Sequence, residues 1–187
     1  MLAWIGSVLI LSAVVLGLNW SSGDFLLHWT RYTAHLAFPY LLLAFCASSL
    51  HRLVGSDWTA SMLRNRRYIG LSFATAHGIH LIALTMFLLA DETWRPDTYF
   101  FVAAFGFVVT AALAITSNNT MVRRVGAANW RTLHRWGINT LMLYVTVAFS
   151  ATLLANQEPL SGIYVLLIAV ALILKYRARS RVVVLAS

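Results

Sequence analysis

Six apolar runs, at about 2–18, 32–50, 68–90, 98–117, 132–155 and 160–176, alternate with short polar stretches along the chain. Each is close to the roughly 20 residues that cross a bilayer as a helix. The first and shortest could pass for a signal peptide. It has no basic residues ahead of it and no small-residue cleavage site after Leu18, so it is read as a true span. The pattern predicts an all-α integral membrane bundle of six transmembrane helices, one domain over 1–187.

The polar stretches differ in charge. Arg52, Arg64, Arg66 and Arg67 outweigh Asp57 between the second and third runs. Arg123, Arg124, Arg131 and Arg135 stand between the fourth and fifth, and Lys175, Arg177, Arg179 and Arg181 follow the sixth. In the other connections Asp24 and Arg31 cancel, Asp91, Glu92 and Asp97 outweigh Arg95, and Glu158 is alone. Because cations collect on the cytoplasmic side, both termini are expected in the cytoplasm, as for a multi-pass protein of a bacterial inner membrane. Trp20, Trp29, Trp94 and Tyr99 then mark the outer interface, and Trp58 and Trp130 the inner one.

Composition agrees. With 60% hydrophobic and 11% charged residues, the chain has too little polar surface for a soluble domain of its size. Its net charge of +8 sits beside the spans, where it suits lipid headgroups and not nucleic acid. The single cysteine, Cys46, excludes an intrachain disulfide and any CxxC motif. There is no dinucleotide-binding GxGxxG and no phosphate loop, so flavin or nicotinamide chemistry would have to come from another chain. No carboxylate pair or nucleophile triad is present, and no catalytic residue is assigned.

The histidines carry the chemistry. An ionisable group inside a span is costly and needs a reason to be there, and imidazole is a common axial ligand of haem iron. His77 and His80 lie on one side of the third run, about 15 and 20 Å from Arg67 at 1.5 Å per residue. His134 is one turn inside the arginine-rich end of the fifth, where Arg131 or Arg135 could pair with a haem propionate. His35 is one turn inside the outer end of the second. His51, beside Arg52, reads as interfacial, and His28 is assigned no role. Candidate iron ligands are therefore His35, His77, His80 and His134. In depth, His80 and His35 differ by about 10 Å, as do His77 and His134. One bis-histidine haem b is expected. Two would need His51 or a non-histidine ligand, and none at all is a live outcome. Ser72, Thr75 and Thr85 could orient such ligands or simply bond to backbone.

Arg66-Arg67-Tyr68-Ile69-Gly70-Leu71 with His80 ten residues after the glycine, and Trp130-Arg131-Thr132-Leu133-His134-Arg135 within 126–135, resemble the ferric-reductase-like transmembrane domain family. Within it they are similar to the haem-binding membrane subunits of the MsrQ type. The likeness covers the third to fifth runs well and the rest loosely. It implies b-type haem held between helices, electron transfer across the membrane, and His80 and His134 as the matching ligands. His77 is additional to that pattern. The family's fifth span carries a second histidine about thirteen residues after the first, where this chain has Val147. Its third span has a histidine about fourteen residues before the one matching His80, where this chain has Arg66.

Two functions follow. One is a membrane cytochrome b without its own flavin or NAD(P) domain. Quinol or a cytoplasmic flavin reductase would reduce it, and it would pass electrons to an outer-face acceptor: ferric iron, a periplasmic redox partner or a quinone. The other is a non-enzymatic scaffold or assembly protein on the same fold that has lost haem ligands. A transporter fits less well, because all six acidic residues fall in or beside loops.

Overall fold

The computed structural model describes residues 2–19, 23–157 and 159–184, all of them in helices or the turns that join them. The order is α1 (Leu2–Asn19), α2 (Phe25–Val54), α3 (Asp57–Arg64), α4 (Arg66–Leu89), α5 (Thr98–Ile115), α6 (Asn119–Val125), α7 (Ala127–Asn156) and α8 (Pro159–Val184). Five of these, α2, α4, α5, α7 and α8, are long and apolar enough to cross a membrane, while α1 has a shorter apolar stretch over Ile5–Leu18. Trp20 and Glu158, used above as an interface marker and a loop charge, lie outside the described residues.

Several bounds differ from the expected ones. α2 begins at Phe25, so Arg31 lies within the helix and not in the preceding loop. α7 begins at Ala127, which puts His134 two turns into it. α3 and α6 are short helices not anticipated from the apolar pattern. The Ser56 hydroxyl accepts from the Thr59 amide to start α3, and Asn118 Oδ1 accepts from the Met121 amide at 2.8 Å to start α6. Side-chain oxygens at such positions satisfy amides that have no partner inside the helix. Asp97 caps α5 in the same way, accepting from Phe100 at 2.8 Å. In the turn before it the Asp91 carboxylate accepts from both the Thr93 hydroxyl and amide, which holds its carboxyl below the usual carboxylate range. Gly126, at φ +85°, breaks the chain sharply between α6 and α7 in a conformation that side chains disfavour.

α2 is the axis of the bundle, packed against α1, α3, α4, α7 and α8. Phe38, Leu41, Ala44, Phe45 and Ala47 on it are nearly inaccessible, and Leu141, Met142 and Ile168 from α7 and α8 close the core around them. α2 and α4 run antiparallel, with Thr33 level with His80 and Ala44 level with Arg66, as their hydrogen bonds show. The outward faces are apolar: Phe101, Phe105 and Val108 on α5, Leu143 on α7, and Leu166 and Ile173 on α8 are all exposed. A fold with apolar side chains outside as well as inside is what a lipid solvent requires.

α5 and α7 meet closely at Gly137, where an added Cβ would stand 2.7 Å from Leu113 Cδ2. In Gly137→Ala the Leu113 side chain must swing aside, and the roughly 1 kcal/mol that alanine gains over glycine inside a helix offsets that cost, so stability should stay within about 1 kcal/mol of the parent. Gly137→Leu, which one moving side-chain tip does not accommodate, should lose about 1–3 kcal/mol. Thermal unfolding of the two variants in detergent checks it, and a Gly137→Leu protein as stable as the parent would refute the contact.

Candidate functional site

α4 and α7, the helices that carry the two arginine-flanked blocks, have well-separated backbones. No Cα of one comes within 8 Å of the other. α2, α5 and α8 hold them apart around a cavity of about 660 Å³, within the roughly 300–1,000 Å³ of cofactor sites. Gly70, Phe73 and Ala74 of α4 form one wall, and Trp130, His134, Ile138 and Leu141 of α7 form the facing one. A Cβ built on Gly70 would meet nothing within 4 Å. The rim is cationic: Arg52, Arg64, Arg66, Arg67, Arg131, Arg135, Lys175 and Arg179 line the space, and among the described residues no Asp or Glu does.

His134 is the imidazole in that wall. Its ring stacks on Trp130 with centroids 4.2 Å apart, and its Nε2 lies 3.0 Å from Thr116 Oγ1. The Thr116 hydroxyl donates to the Ala112 carbonyl at 2.7 Å, so it accepts from His134 Nε2–H. Trp130 Nε1 donates to the Thr116 carbonyl at 2.8 Å and pins the start of α7 to the end of α5. Trp130 is thus part of the site wall. Arg131 and Arg135 are exposed at the rim, whereas Arg66 is half-buried and donates from Nε to the Ala44 carbonyl at 2.8 Å.

A second tier lies further along α4. His80 Nδ1 is 3.1 Å from the Thr30 carbonyl and 3.2 Å from Thr33 Oγ1. A carbonyl only accepts, so Nδ1 carries the proton and Nε2 keeps its lone pair, the form that binds iron. His77 Nδ1 is 3.2 Å from Thr110 Oγ1, whose hydroxyl donates to the Gly106 carbonyl at 2.9 Å, and the same tautomer follows. The two rings are 6.0 Å apart, and Phe107 packs 4.2 Å from His77. His77 is seven residues after Gly70, about 20° away around the helix, on the same side of α4 but beyond the residues that line the cavity. His80 turns instead toward α2.

His35 is ten residues past Phe25 and His80 nine before Leu89, on antiparallel helices, so the two lie at nearly the same depth. The expected 10 Å difference came from starting the second span too late. The His35 ring nonetheless faces α7 and α8, stacked on Phe149 at 6.0 Å and 5.3 Å from Tyr164. α2 and α4 are in close contact along their length, and His80 bonds to Thr30 and Thr33 of α2 while the His35 ring faces the other way. His77 and His134 remain on different levels.

The other candidates resolve into structural roles. His51 Nδ1 meets Thr59 Oγ1 at 3.2 Å and ties α2 to α3. Thr75 and Thr85 donate to backbone carbonyls of their own helix. Ser72 is fully buried on the face of α4 away from the cavity. Val147 is 60% exposed on the outer face of α7. Among the described residues no three His, Cys, Asp or Glu side chains converge as a metal site. Haem differs from a bare ion in bringing its own four nitrogens, and it needs only one or two imidazoles from the protein. A space of that volume with an imidazole in one wall, apolar sides and a cationic rim fits an anionic macrocycle. What sequence reading missed is Lys175 in α8 and Gly70 as an open wall position. The glycine two turns later, Gly78, is exposed and does not line the cavity.

This chain is 31% identical over 159 residues to the protein-methionine-sulfoxide reductase haem-binding subunit MsrQ of Rhodospirillum rubrum, covering 81% of this chain and 75% of that one. It belongs to the MsrQ family. A second MsrQ, from Azospira oryzae, is 34% identical over 106 residues, 51% of this chain and 42% of its own. Magnetosome protein MamZ of Magnetospirillum gryphiswaldense is 30% identical over 155 residues, 79% of this chain and 22% of MamZ. Against several such relatives the chain spans about half their length or less, 52% for the MsrQ of Ralstonia nicotianae. No family model matches, and no solved structure does.

Proposed function

We propose that this MsrQ-family chain is a membrane cytochrome b that carries electrons across the bilayer to an acceptor on the outer face. The arginine-rich ends face the cytoplasm of a bacterial inner membrane in this reading, and α1 serves as a sixth span with both termini inside. The observation that carries it is the gap between α4 and α7, with His134 in its wall and cations alone at its rim. His134, through Nδ1 or on giving up its Nε2–H bond to Thr116, would hold one haem b there, the apolar walls would exclude water, and the rim would neutralise the propionates. Haem, when bound, supplies the one-electron ferric–ferrous couple. His77 and His80, their Nε2 lone pairs kept available, form the tier through which the site continues outward.

The donor is quinol or a cytoplasmic flavin reductase. The acceptor, by likeness to the methionine-sulfoxide reductase subunits, is a reductase partner at the outer face. Absorption spectra of the purified protein, oxidised and dithionite-reduced, test the reading. A reduced b-type spectrum at one haem per chain supports the reading, and two would enlist the His77–His80 tier as well. A colourless protein after expression with added haem precursor would sink the reading in favour of a scaffold on the same fold.

A further inference from the structure

Lys175 is the only lysine in the chain, and it sits half-buried at the end of the apolar stretch of α8, ahead of Arg177 and Arg179. Its ammonium lies 3.7 Å from the centre of the Phe45 ring and donates to Asn139 Oδ1 at 2.6 Å. The Asn139 amide donates in turn to the Arg135 carbonyl at 2.6 Å, which fixes the oxygen toward the lysine. One ammonium proton is thus bound to α7 and the ring of α2 faces the charge, while Lys175 itself lines the cavity. Its charged neighbours, Arg66 and Arg179, both repel it. Among the described residues no carboxylate lines the cavity to compensate.

A half-buried cation that only repels its charged neighbours is stable when a ligand supplies the counter-charge. Resting on the haem reading above, we infer that Lys175 is the anchor for a carboxylate of the cavity's cofactor and a positioning residue that sets its redox potential. The exposed Arg131 and Arg135, which the sequence suggested for that task, are then rim charges largely screened by solvent. The preference follows from burial: a charge pair away from water is worth more than one in it. α8 lies outside both arginine-flanked blocks, so this assigns a function to a helix that the motifs leave out.

Because Lys175 is the only side-chain amine, it can be read directly. Labelling of the wild-type protein with an amine-reactive reagent, followed by peptide mass spectrometry, should show Lys175 modified at least about tenfold more slowly with haem bound than without. In parallel, Lys175→Gln should lower the haem midpoint potential, since a lost cation disfavours the reduced, more negative form. Lys175→Arg should restore it, and Arg124→Gln, on α6 outside the cavity, should leave it near the parent value. Equal labelling in the two states, or a Lys175→Gln protein with the parent potential, would overturn the anchor while leaving the haem reading intact. A wild-type protein that takes up no haem would overturn both.

Discussion

His134→Ala should lower haem retention by more than about tenfold, because a ligand's loss exceeds the roughly 10–100-fold that loss of a ligand's hydrogen-bond partner costs. His134 is the imidazole within the cavity wall, and among the described residues none other lines the space. The substitution leaves the fold largely untouched. The ring contributes its stack on Trp130 and one bond to Thr116, and Trp130 keeps its own bond to the Thr116 carbonyl. The checking measurement is haem per chain by pyridine haemochrome after size-exclusion chromatography. The elution profile and thermal transition should stay near those of the parent. His51→Ala is the matched control, since that ring ties α2 to α3 and lies outside the cavity. A His134→Ala protein with full haem content would move the site to the His77–His80 tier.

The membrane bundle was legible because lipid imposes its pattern on sequence directly: each long span reads as an apolar run. The two arginine-flanked blocks were legible too, and they do lie on facing helices. The space between them was not, since it depends on α2 taking the central position, and no local pattern in 25–54 says which neighbours it will have. Depth was read well only where the helix start was clear. Arg31 looked like a loop charge, but a long side chain within the end of a helix can carry its charge out to the interface. The start of α2 was therefore placed too late and His35 too shallow. The face that each histidine presents was hidden for another reason. His77 and His80 share a side of α4 by spacing, yet Thr110 on α5 claims one and the Thr30 carbonyl on α2 the other. Those partners are distant in sequence. Lys175 was counted with the tail arginines as a topology signal, and only packing against Phe45 and Asn139 sets it apart.

Gly70→Leu should remove the cofactor without harming the protein. The position lines the cavity from α4, and a Cβ there meets no atom within 4 Å, so the added side chain starts into open space. Replacing glycine inside a helix with leucine also favours the helix by up to about 1 kcal/mol. The apoprotein should therefore unfold at or above the parent temperature. The leucine fills the volume between α4 and α7 that a macrocycle needs, and haem content should fall by about tenfold or more, the cost of a clash of one buried side chain with a rigid ring being at least that of overpacking, about 1–3 kcal/mol. Gly78→Leu serves as the comparison. It makes the same chemical change on the same helix, with the same open surroundings, at an exposed position away from the cavity. It should retain the parent's spectrum. Loss of haem from Gly70→Leu alone locates the cofactor between α4 and α7, whereas a fully coloured Gly70→Leu protein would show that the cavity is not where haem binds.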